Sequence, residues 1–418
     1  MKRKIITLIT ACSLAIALLL NFTGCTLKTS AVNLMDGIKA RDLQDQPVSR
    51  ESAEKAAEFA VQLFRACCNK DKNTLVSPLS VLAALAMTAN GAKGETKEQM
   101  ENILGMTTDE LNEFFRSYRN ALTNSGKNKL SLANSIWFTD DESFTVNRDF
   151  LQTNADYYDA DAYKARFDGT TLKDINNWVK SKTDGMIPEI LDNIPREAVM
   201  YLVNALAFET EWAEPYKSYQ VREGNFTLEN GLKKKTDFMY STEHKYIEDD
   251  MATGFIKYYS GGKYAFAALL PNFGTSVSEY ISSLDGETLL SMLETSKAVT
   301  VRTSLPKFKT EYRTELSDIL KDMGMPAAFN HEIADFSGLG KSDAGNIAIN
   351  RVIHKTIISV GEKGTKAGAA TVVEMTGKGI DMPEEEKQVY LDRPFVYMIL
   401  DTETNLPFFI GTMTDTEV

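Results

Sequence analysis

Cysteine and histidine are scarce in this chain of 418 residues, which has four cysteines and three histidines. They are Cys12, Cys25, Cys67, Cys68, His244, His331 and His354. No two histidines have the spacing of metal ligands, and the two adjacent cysteines cannot form a disulfide with each other without straining the backbone. The sequence therefore predicts neither a metal site nor a disulfide framework, and no cofactor is expected.

Signatures of catalysis are missing as well. The sequence contains no Gly-x-Ser-x-Gly motif, and residues 340–342, Gly-Lys-Ser, lack the upstream glycine of a phosphate-binding loop. Ser52-Ala53-Glu54-Lys55 matches the Ser-x-x-Lys motif of penicillin-binding enzymes, but the companion motifs Ser-Asp-Asn and Lys-Thr-Gly are absent. A helix start explains Ser52 better. We predict that the chain is not an enzyme, and an extracellular hydrolase is the weaker alternative.

Lysine and arginine are outnumbered by aspartate and glutamate, and the formal net charge of the chain is -12. Nucleic acid is therefore not expected as a partner, since phosphate binding depends on an excess of lysine and arginine. Hydrophobic residues make up 43% of the chain, which is enough to form one sizeable core or two smaller ones.

The longest apolar run lies at the N-terminus. Lys2-Arg3-Lys4 precedes a mostly apolar segment over residues 5–20, as in a secretion signal. Residues 22–25, Phe-Thr-Gly-Cys, resemble a bacterial lipobox, which implies cleavage before Cys25 and acylation of that cysteine. We therefore predict a lipoprotein signal peptide over residues 1–24 and a polar, irregular tether over 25–48. A plain signal peptide or an uncleaved anchor is the alternative interpretation. The mature protein is expected outside the cytoplasm, either lipid-anchored to the cell envelope or released.

Residues 49–418 combine helical and strand patterns, and we interpret them as one domain. Apolar residues recur at helical spacing after Ser49, and Pro78 suits a first helical position with Ser77 as the cap. The run after Pro78 is apolar on nearly all sides, which predicts a buried helix. Strand-like patterns appear over residues 130–138, 201–208 and 353–360. The mixture predicts an α+β fold.

The segment from Glu362 to Pro383 is too long to be a hairpin turn between the strand-like runs on either side of it. If it were extended, one set of alternate side chains would carry no charge: Thr365, Ala367, Ala369, Thr371 and Val373. The other set is Lys366, Gly368, Ala370, Val372 and Glu374. The alternation predicts a segment that can enter a sheet with its uncharged set buried, in a specified register. A flexible surface loop is the alternative interpretation.

This segment resembles the hinge and reactive-centre loop of serpins, a family of serine protease inhibitors. The residues that fit the hinge are Glu362, Gly364, Thr365, Ala367, Ala369, Ala370 and Thr371. Lys366 replaces the usual acid and Gly368 interrupts the usual alanines, but both belong to the set expected to face outward. Weaker matches follow the family's order from about Ser49 to Met413. The resemblance implies a serpin fold, with three β-sheets, about eight or nine helices and an exposed reactive-centre loop.

Two structural sites also follow from the resemblance. It implies a polar cluster beneath the central sheet, where two strands part, formed by Ser77, Ser80, Asn204 and His354. Trp212 matches the tryptophan at the top of that sheet, where the loop begins to insert. Four unrelated polar residues and an ordinary core tryptophan are the alternative interpretations.

The function implied by the resemblance is irreversible suicide-substrate inhibition of serine proteases, with cysteine proteases as a further target class. Family spacing counted from Glu362 puts the cut between Lys378 and Gly379, which suits a trypsin-like protease. A cut at Met375 or Thr376 by elastase-like or chymotrypsin-like enzymes is one alternative. A non-inhibitory serpin that acts as a binding protein is another. For Lys378 itself, the alternative interpretation is an ordinary solvated loop lysine. The expected partner is the target protease, held covalently by a monomeric inhibitor.

Overall fold

The computed structural model describes residues 29–44, 46–69, 72–121, 129–142, 144–194, 199–343, 345–365 and 386–416. The α-helices in these ranges are α1 (Arg50–Cys67), α2 (Pro78–Ala89), α3 (Gly94–Leu104), α4 (Thr108–Ala121), α5 (Arg148–Tyr158), α6 (Gly169–Lys182), α7 (Val277–Ser283), α8 (Gly286–Glu294) and α9 (Ser317–Met323). The strands from the N-terminus to the middle of the chain are β1 (Val32–Asn33), β2 (Thr74–Val76), β3 (Lys129–Thr139), β4 (Phe144–Val146), β5 (Asp161–Ala165), β6 (Met200–Glu211), β7 (Val221–Thr227), β8 (Lys233–Glu243), β9 (Tyr246–Glu248) and β10 (Ala252–Tyr258). Those that follow are β11 (Tyr264–Pro271), β12 (Thr300–Pro306), β13 (Phe308–Glu315), β14 (Gly340–Ser342), β15 (Arg351–Gly361), β16 (Gly364–Thr365), β17 (Glu386–Tyr390), β18 (Phe395–Asp401) and β19 (Pro407–Met413).

Three large β-sheets organise these elements, together with a two-stranded sheet of β4 and β14. Sheet A has seven strands in the order β1-β5-β3-β6-β16-β15-β13. Sheet B has the order β2-β19-β18-β11-β10-β9, and sheet C has the order β17-β12-β8-β7. The α+β class, the three sheets and the predicted number of helices are confirmed in the described part of the chain.

Helix α2 is the buried helix that the apolar run predicted. Every residue from Pro78 to Ala89 is buried, and the helix contacts β3 and β6 of sheet A as well as β19 of sheet B. Ser77 occupies the N-cap position and Pro78 the first turn, but the Ser77 side chain makes no capping hydrogen bond. The core therefore lies between sheets A and B, with α2 at its centre and the polar start of α2 beneath sheet A.

From Ala31 onward, the described part of the predicted tether belongs to the same compact unit as the rest of the domain. Val32 and Asn33 form β1, which pairs with β5 at the edge of sheet A. Arg41 donates hydrogen bonds to Asp156 from its backbone N (2.7 Å) and from Nε (2.8 Å), and the Asp156 side chain is fully buried. The predicted tether over 25–48 is therefore wrong for residues 31–44. Because the composition of these residues is irregular, it did not predict the edge strand β1 or the pairing of Arg41 with the buried carboxylate of Asp156.

None of the helices α1–α9 is both long enough and apolar enough to cross a bilayer. The predicted signal peptide, residues 1–24, and the predicted lipidation site, Cys25, lie outside the described residues.

Candidate functional site

Sheet A is divided along part of its length between β6 and β15. These parallel strands pair directly through residues 201–205 of β6 and 351–355 of β15, which we call the closed end. At the open end, the two-residue strand β16 lies between them and pairs antiparallel with both. The chain that follows β15 has therefore turned back and entered the sheet by two residues.

Gly364 begins β16 in a position that only glycine fits. Its φ is +152°, and a Cβ atom at this position would lie 2.1 Å from the carbonyl O of Thr210 on β6. Backbone conformation and space both exclude a side chain here. This is the physical reason for a glycine at this point of the predicted hinge.

Thr365, the second residue of β16, faces the core. It lies opposite Thr210 of β6 and Val360 of β15, and it is only 1% exposed. Its hydroxyl shares a hydrogen bond of 2.5 Å with the buried phenol of Tyr259. Thr365 is the first member of the uncharged alternate set, and its inward orientation is the one the alternation predicted for it.

The turn between β15 and β16 is held by two aromatic residues that follow β6. Trp212 donates from Nε1 to the carbonyl O of Gly361 and from its backbone N to the carbonyl O of Lys363, each at 2.8 Å. The backbone N of Tyr216 donates to the carbonyl O of Glu362, also at 2.8 Å. Trp212 is 1% exposed. It therefore stands at the open end of sheet A, where the resemblance implied it would be.

The hinge acid Glu362 is tied to the same end of the molecule by an ion pair. Its Oε1 lies 2.8 Å from Nζ of Lys307, in the connection between β12 and β13. The hydrogen bond from Lys307 is the main reason why the pKa of Glu362 lies below its usual value. Both side chains are partly exposed, at 34% and 39%, so the pair orients the turn more than it stabilises the fold.

The closed end of the divided sheet carries the polar cluster. The backbone N of Ser77 donates to Nε2 of His354 at 3.0 Å, and Oγ of Ser80 donates to the carbonyl O of Ser77 at 3.1 Å. Asn204 lies directly opposite His354 in the β6–β15 ladder, and its Nδ2 donates to Oδ1 of Asn134 on β3. The structure thus brings Ser77, Ser80, Asn204 and His354 together and adds Asn134 to them.

Three buried polar atoms of this cluster have no hydrogen-bond partner within the described ranges: Oγ of Ser77, Oδ1 of Asn204 and Nδ1 of His354. Because Nε2 of His354 accepts from Ser77, the ring proton must be on Nδ1. Buried polar atoms without partners cost free energy. These three atoms lie at the closed end, where β6 and β15 pair directly.

Comparison with known proteins bears on this divided sheet. A family model described as Serpin (serine protease inhibitor) matches residues 54–416. The chain belongs to the serpin family.

Similar proteins include serpins of known structure and curated relatives. The native state of the thermophilic serpin tengpin is 48% identical, with a TM-score of 0.87, over 92% of this chain and 99% of that one. An uncharacterized serpin-like protein of Thermococcus kodakarensis is 29% identical over 379 residues, 88% of this chain and 87% of the relative. The leukocyte elastase inhibitor of Equus caballus is 30% identical over 374 residues, 84% of this chain and 96% of the relative. Serpins in general are protease inhibitors rather than catalytic enzymes.

The remaining predicted site residues of this serpin lie outside the described residues. They are the hinge residues Ala367, Ala369, Ala370 and Thr371, the predicted scissile pair Lys378 and Gly379, the alternative cut sites Met375 and Thr376, and Cys25. Of the predicted hinge, the structure describes Glu362, Gly364 and Thr365.

Several functional contacts of this serpin had no local signal in the sequence. Tyr259, the partner of Thr365, and Lys307, the partner of Glu362, are separated from the hinge by long stretches of chain. Asn134 has a weak signal in the sequence, because it is a polar residue in the middle of an apolar alternating strand. Such partners become visible only when the topology of sheet A is known.

His354 is expected to make the stability of this serpin sensitive to acid. Burial lowers the pKa of His354 from 6.5 to about 4, so the folded state excludes a proton that the unfolded chain binds below pH 6.5. Stability should be intact above about pH 6.5 and should fall by on the order of 3 kcal/mol as the pH approaches 4. Unfolding free energies measured by urea titration between pH 7.5 and 4.5 would test this.

His354→Gln is expected to flatten this pH dependence, because the proton-binding group is removed. His331→Gln is the matched control, since His331 is exposed, and it should leave the pH dependence unchanged. An equal slope in wild type and His354→Gln would contradict the prediction.

Proposed function

We propose that this serpin inhibits serine proteases irreversibly, by offering residues 366–385 as a substrate and inserting their first part into sheet A after cleavage. The observation that carries the proposal is the divided sheet, in which β16 already lies between β6 and β15 at the open end. In this register residues 366–369 would run beside residues 206–209 and 356–359, and any further lengthening would have to separate the closed end. Cysteine proteases, which also form acyl-enzymes, are a second target class.

The register of β16 specifies which loop residues would meet which core residues. Because β16 is antiparallel to both neighbours, each further loop residue would pair one position earlier on β6 and on β15. Thr371 would then arrive opposite Asn204 and His354, whose buried side chains each have an unpaired atom. Continued in the same register, Met375 would lie opposite Met200, the first residue of β6.

Insertion over this length would carry the cut end of the loop a long way. The strand would grow from Thr365 to Met375, and at about 3.3 Å per residue its end would lie about 33 Å further along sheet A. A protease still joined to the loop as an acyl-enzyme would be drawn from the open end to the closed end. Displacing catalytic groups by even about 1 Å can cost a factor of roughly 10² in rate, so deacylation would stop.

The length of the sheet also bears on which bond is cut. If the acyl bond were at Met375, the protease would have to lie directly against the end of the lengthened strand, where Met375 would be opposite Met200. A cut after Lys378 leaves Thr376 to Lys378 as a short connection beyond the strand. This supports Lys378-Gly379 as the scissile bond, and a basic residue there favours a trypsin-like pocket that carries an acid.

The proposal is tested by incubating the purified protein with trypsin and, separately, with an elastase, followed by boiling in detergent. We expect a covalent complex at the summed mass with trypsin. Lys378→Ala should abolish it, whereas Lys378→Arg, which keeps the basic side chain, should preserve it. Mass spectrometry of the released C-terminal fragment identifies the cut bond.

Other outcomes would replace parts of the proposal. A complex with elastase and a fragment beginning at Thr376 or Gly377 would move the scissile bond to Met375 or Thr376. Cleavage of the loop with no complex and no gain in thermal stability would mean a non-inhibitory serpin that acts as a binding protein. Hydrolysis of a peptide or ester by the protein itself would make it an enzyme.

We further propose that the mature protein is a monomer attached outside the cytoplasmic membrane through a lipid on Cys25. The basic and apolar residues before Cys25 support this. Mass spectrometry of the N-terminal peptide would detect a diacylglyceryl group on Cys25. Cys25→Ser should abolish that modification and release the protein from the membrane fraction.

A further inference from the structure

A buried ion pair lies close to the turn between β15 and β16. Nζ of Lys257 on β10 is 2.8 Å from Oε1 of Glu243 on β8, and the two side chains are only 3% and 12% exposed. The carboxylate also accepts a hydrogen bond of 2.6 Å from Oγ of Ser241. The pair therefore joins sheet B to sheet C through the interior, where a charge without a partner would be strongly unfavourable.

The ammonium group of Lys257 also contacts the two aromatic residues that hold the turn. Nζ lies 4.6 Å from the centre of the Tyr216 ring and 5.5 Å from the centre of the Trp212 ring. The two rings are nearly perpendicular, at 87°, so one cation can face both of them. Cations are attracted to aromatic rings in this way, most strongly where water is excluded. Trp212 is also stacked on Tyr259, with 4.4 Å between the ring centres.

These contacts form a continuous chain from the ion pair to the hinge. Glu243 holds Lys257, Lys257 faces Trp212 and Tyr216, and these two residues donate the three hydrogen bonds to the carbonyl groups of residues 361–363. That turn joins β15 to β16. If it opens, Gly364 and Thr365 leave the sheet and the loop lengthens without inserting.

We propose that Lys257 and Glu243 are positioning residues for loop insertion. Through Trp212 and Tyr216 they keep the 361–363 turn folded. The cut loop would then enter sheet A from a starting point whose position is fixed. The inference rests on the proposed function, because it assigns these residues a part in the insertion step. In this role both residues act through Trp212 and Tyr216.

The substitution Lys257→Met keeps most of the side-chain length and removes the cation. We expect insertion to slow by about tenfold, which corresponds to about 1.4 kcal/mol. More loop cleavages should then end in hydrolysis, and fewer in a detergent-stable trypsin complex. The rate at which trypsin attacks the loop should not change, because the residues it recognises are untouched. A slower insertion step with an unchanged rate of attack by trypsin indicates a positioning role. A general loss of folding would change both rates.

Hydrogen exchange supplies a readout that does not require inhibition. Amides of the peptide covering residues 361–365 should exchange about tenfold faster in Lys257→Met than in wild type. If the wild-type protein forms no protease complex, the proposed function fails, but exchange at the hinge still tests the positioning role. Unchanged exchange in Lys257→Met, with unchanged trapping, would overturn the inference.

Three further variants control for misfolding. Glu243→Gln removes the other charge with little change in size, and it should speed hinge exchange even if Lys257→Met does not fold. Lys257→Arg keeps a cation that can face the rings and bind Glu243, and it should restore trapping. Lys234→Met removes a lysine of the same strand as Glu243 that pairs with Asp415 at 2.7 Å, and it should leave hinge exchange unchanged. Faster exchange in Lys234→Met than in Lys257→Met would also overturn the inference.

Discussion

Ala367→Glu is expected to turn this serpin from an inhibitor into a substrate. In the register set by Thr365, residue 367 would arrive opposite Phe208 and Ile358, which are 3% and 2% exposed. Burying a carboxylate there without a partner would cost several kcal/mol, and insertion would stop at residue 367, the fourth of the lengthened strand. The fraction of loop cleavages that end in a detergent-stable complex should fall by at least about a hundredfold, which corresponds to about 2.7 kcal/mol.

Lys366→Glu is the matched control for this experiment. It introduces the same side chain one residue earlier, on the opposite face, beside Ser359 and Glu209, which are only partly buried. Trapping of trypsin should be nearly unchanged, since exposed like charges cost little. Gel densitometry of complex and cleaved products at equal extents of cleavage measures both variants. Efficient trapping by Ala367→Glu, or a larger loss in Lys366→Glu, would mean that the register is wrong.

Local patterns in the sequence were sufficient for the elements that build the site. The all-round apolar run after Pro78 predicted the buried helix α2, and β-branched residues predicted β15. The alternation from Thr365 onward predicted the inward orientation that Thr365 has in β16. In each case the signal lies within one element, because burial on one face imposes a period on the side chains.

Other parts of the site could not be predicted because they depend on contacts between distant segments. The two-residue strand β1 is too short to have a period, and its irregular surroundings suggested a tether. Lys257 reads as an ordinary polar residue of β10, yet the packing of sheets B and C places it between Glu243 and two aromatic rings. Composition and spacing do not encode such partners, since residues far apart in the sequence meet only in the folded chain.

The divided sheet also implies that the molecule with its loop inserted into sheet A would be more stable than the intact molecule. At the closed end, β6 and β15 share one ladder of hydrogen bonds. A lengthened β16 would replace that ladder with two, one to each neighbour, and would cover the unpaired polar atoms of Asn204 and His354. Under the proposed mechanism, the intact protein would be held away from its most stable state by the barrier to separating β6 and β15, and its stability would be kinetic.

Cutting the loop is therefore expected to make the protein much more stable. Residues 366–375 would add about ten ladder hydrogen bonds, and at roughly 0.5–1.5 kcal/mol each the gain is on the order of 10 kcal/mol. That rivals the total stability of an ordinary domain, about 5–15 kcal/mol. After cleavage by trypsin, calorimetry should show the unfolding transition at least about 10 °C higher than in the intact protein.

The control for this prediction is a nick that releases no strand. A protease recognition sequence placed at Asn230, in the turn between β7 and β8, would be cut outside sheet A. That nick should leave the transition unchanged or lower it, because it frees no segment that can join β6 and β15. If the loop-cut protein unfolded at the same temperature as the intact one, sheet A would not accept a further strand, and trapping of proteases could not arise from insertion.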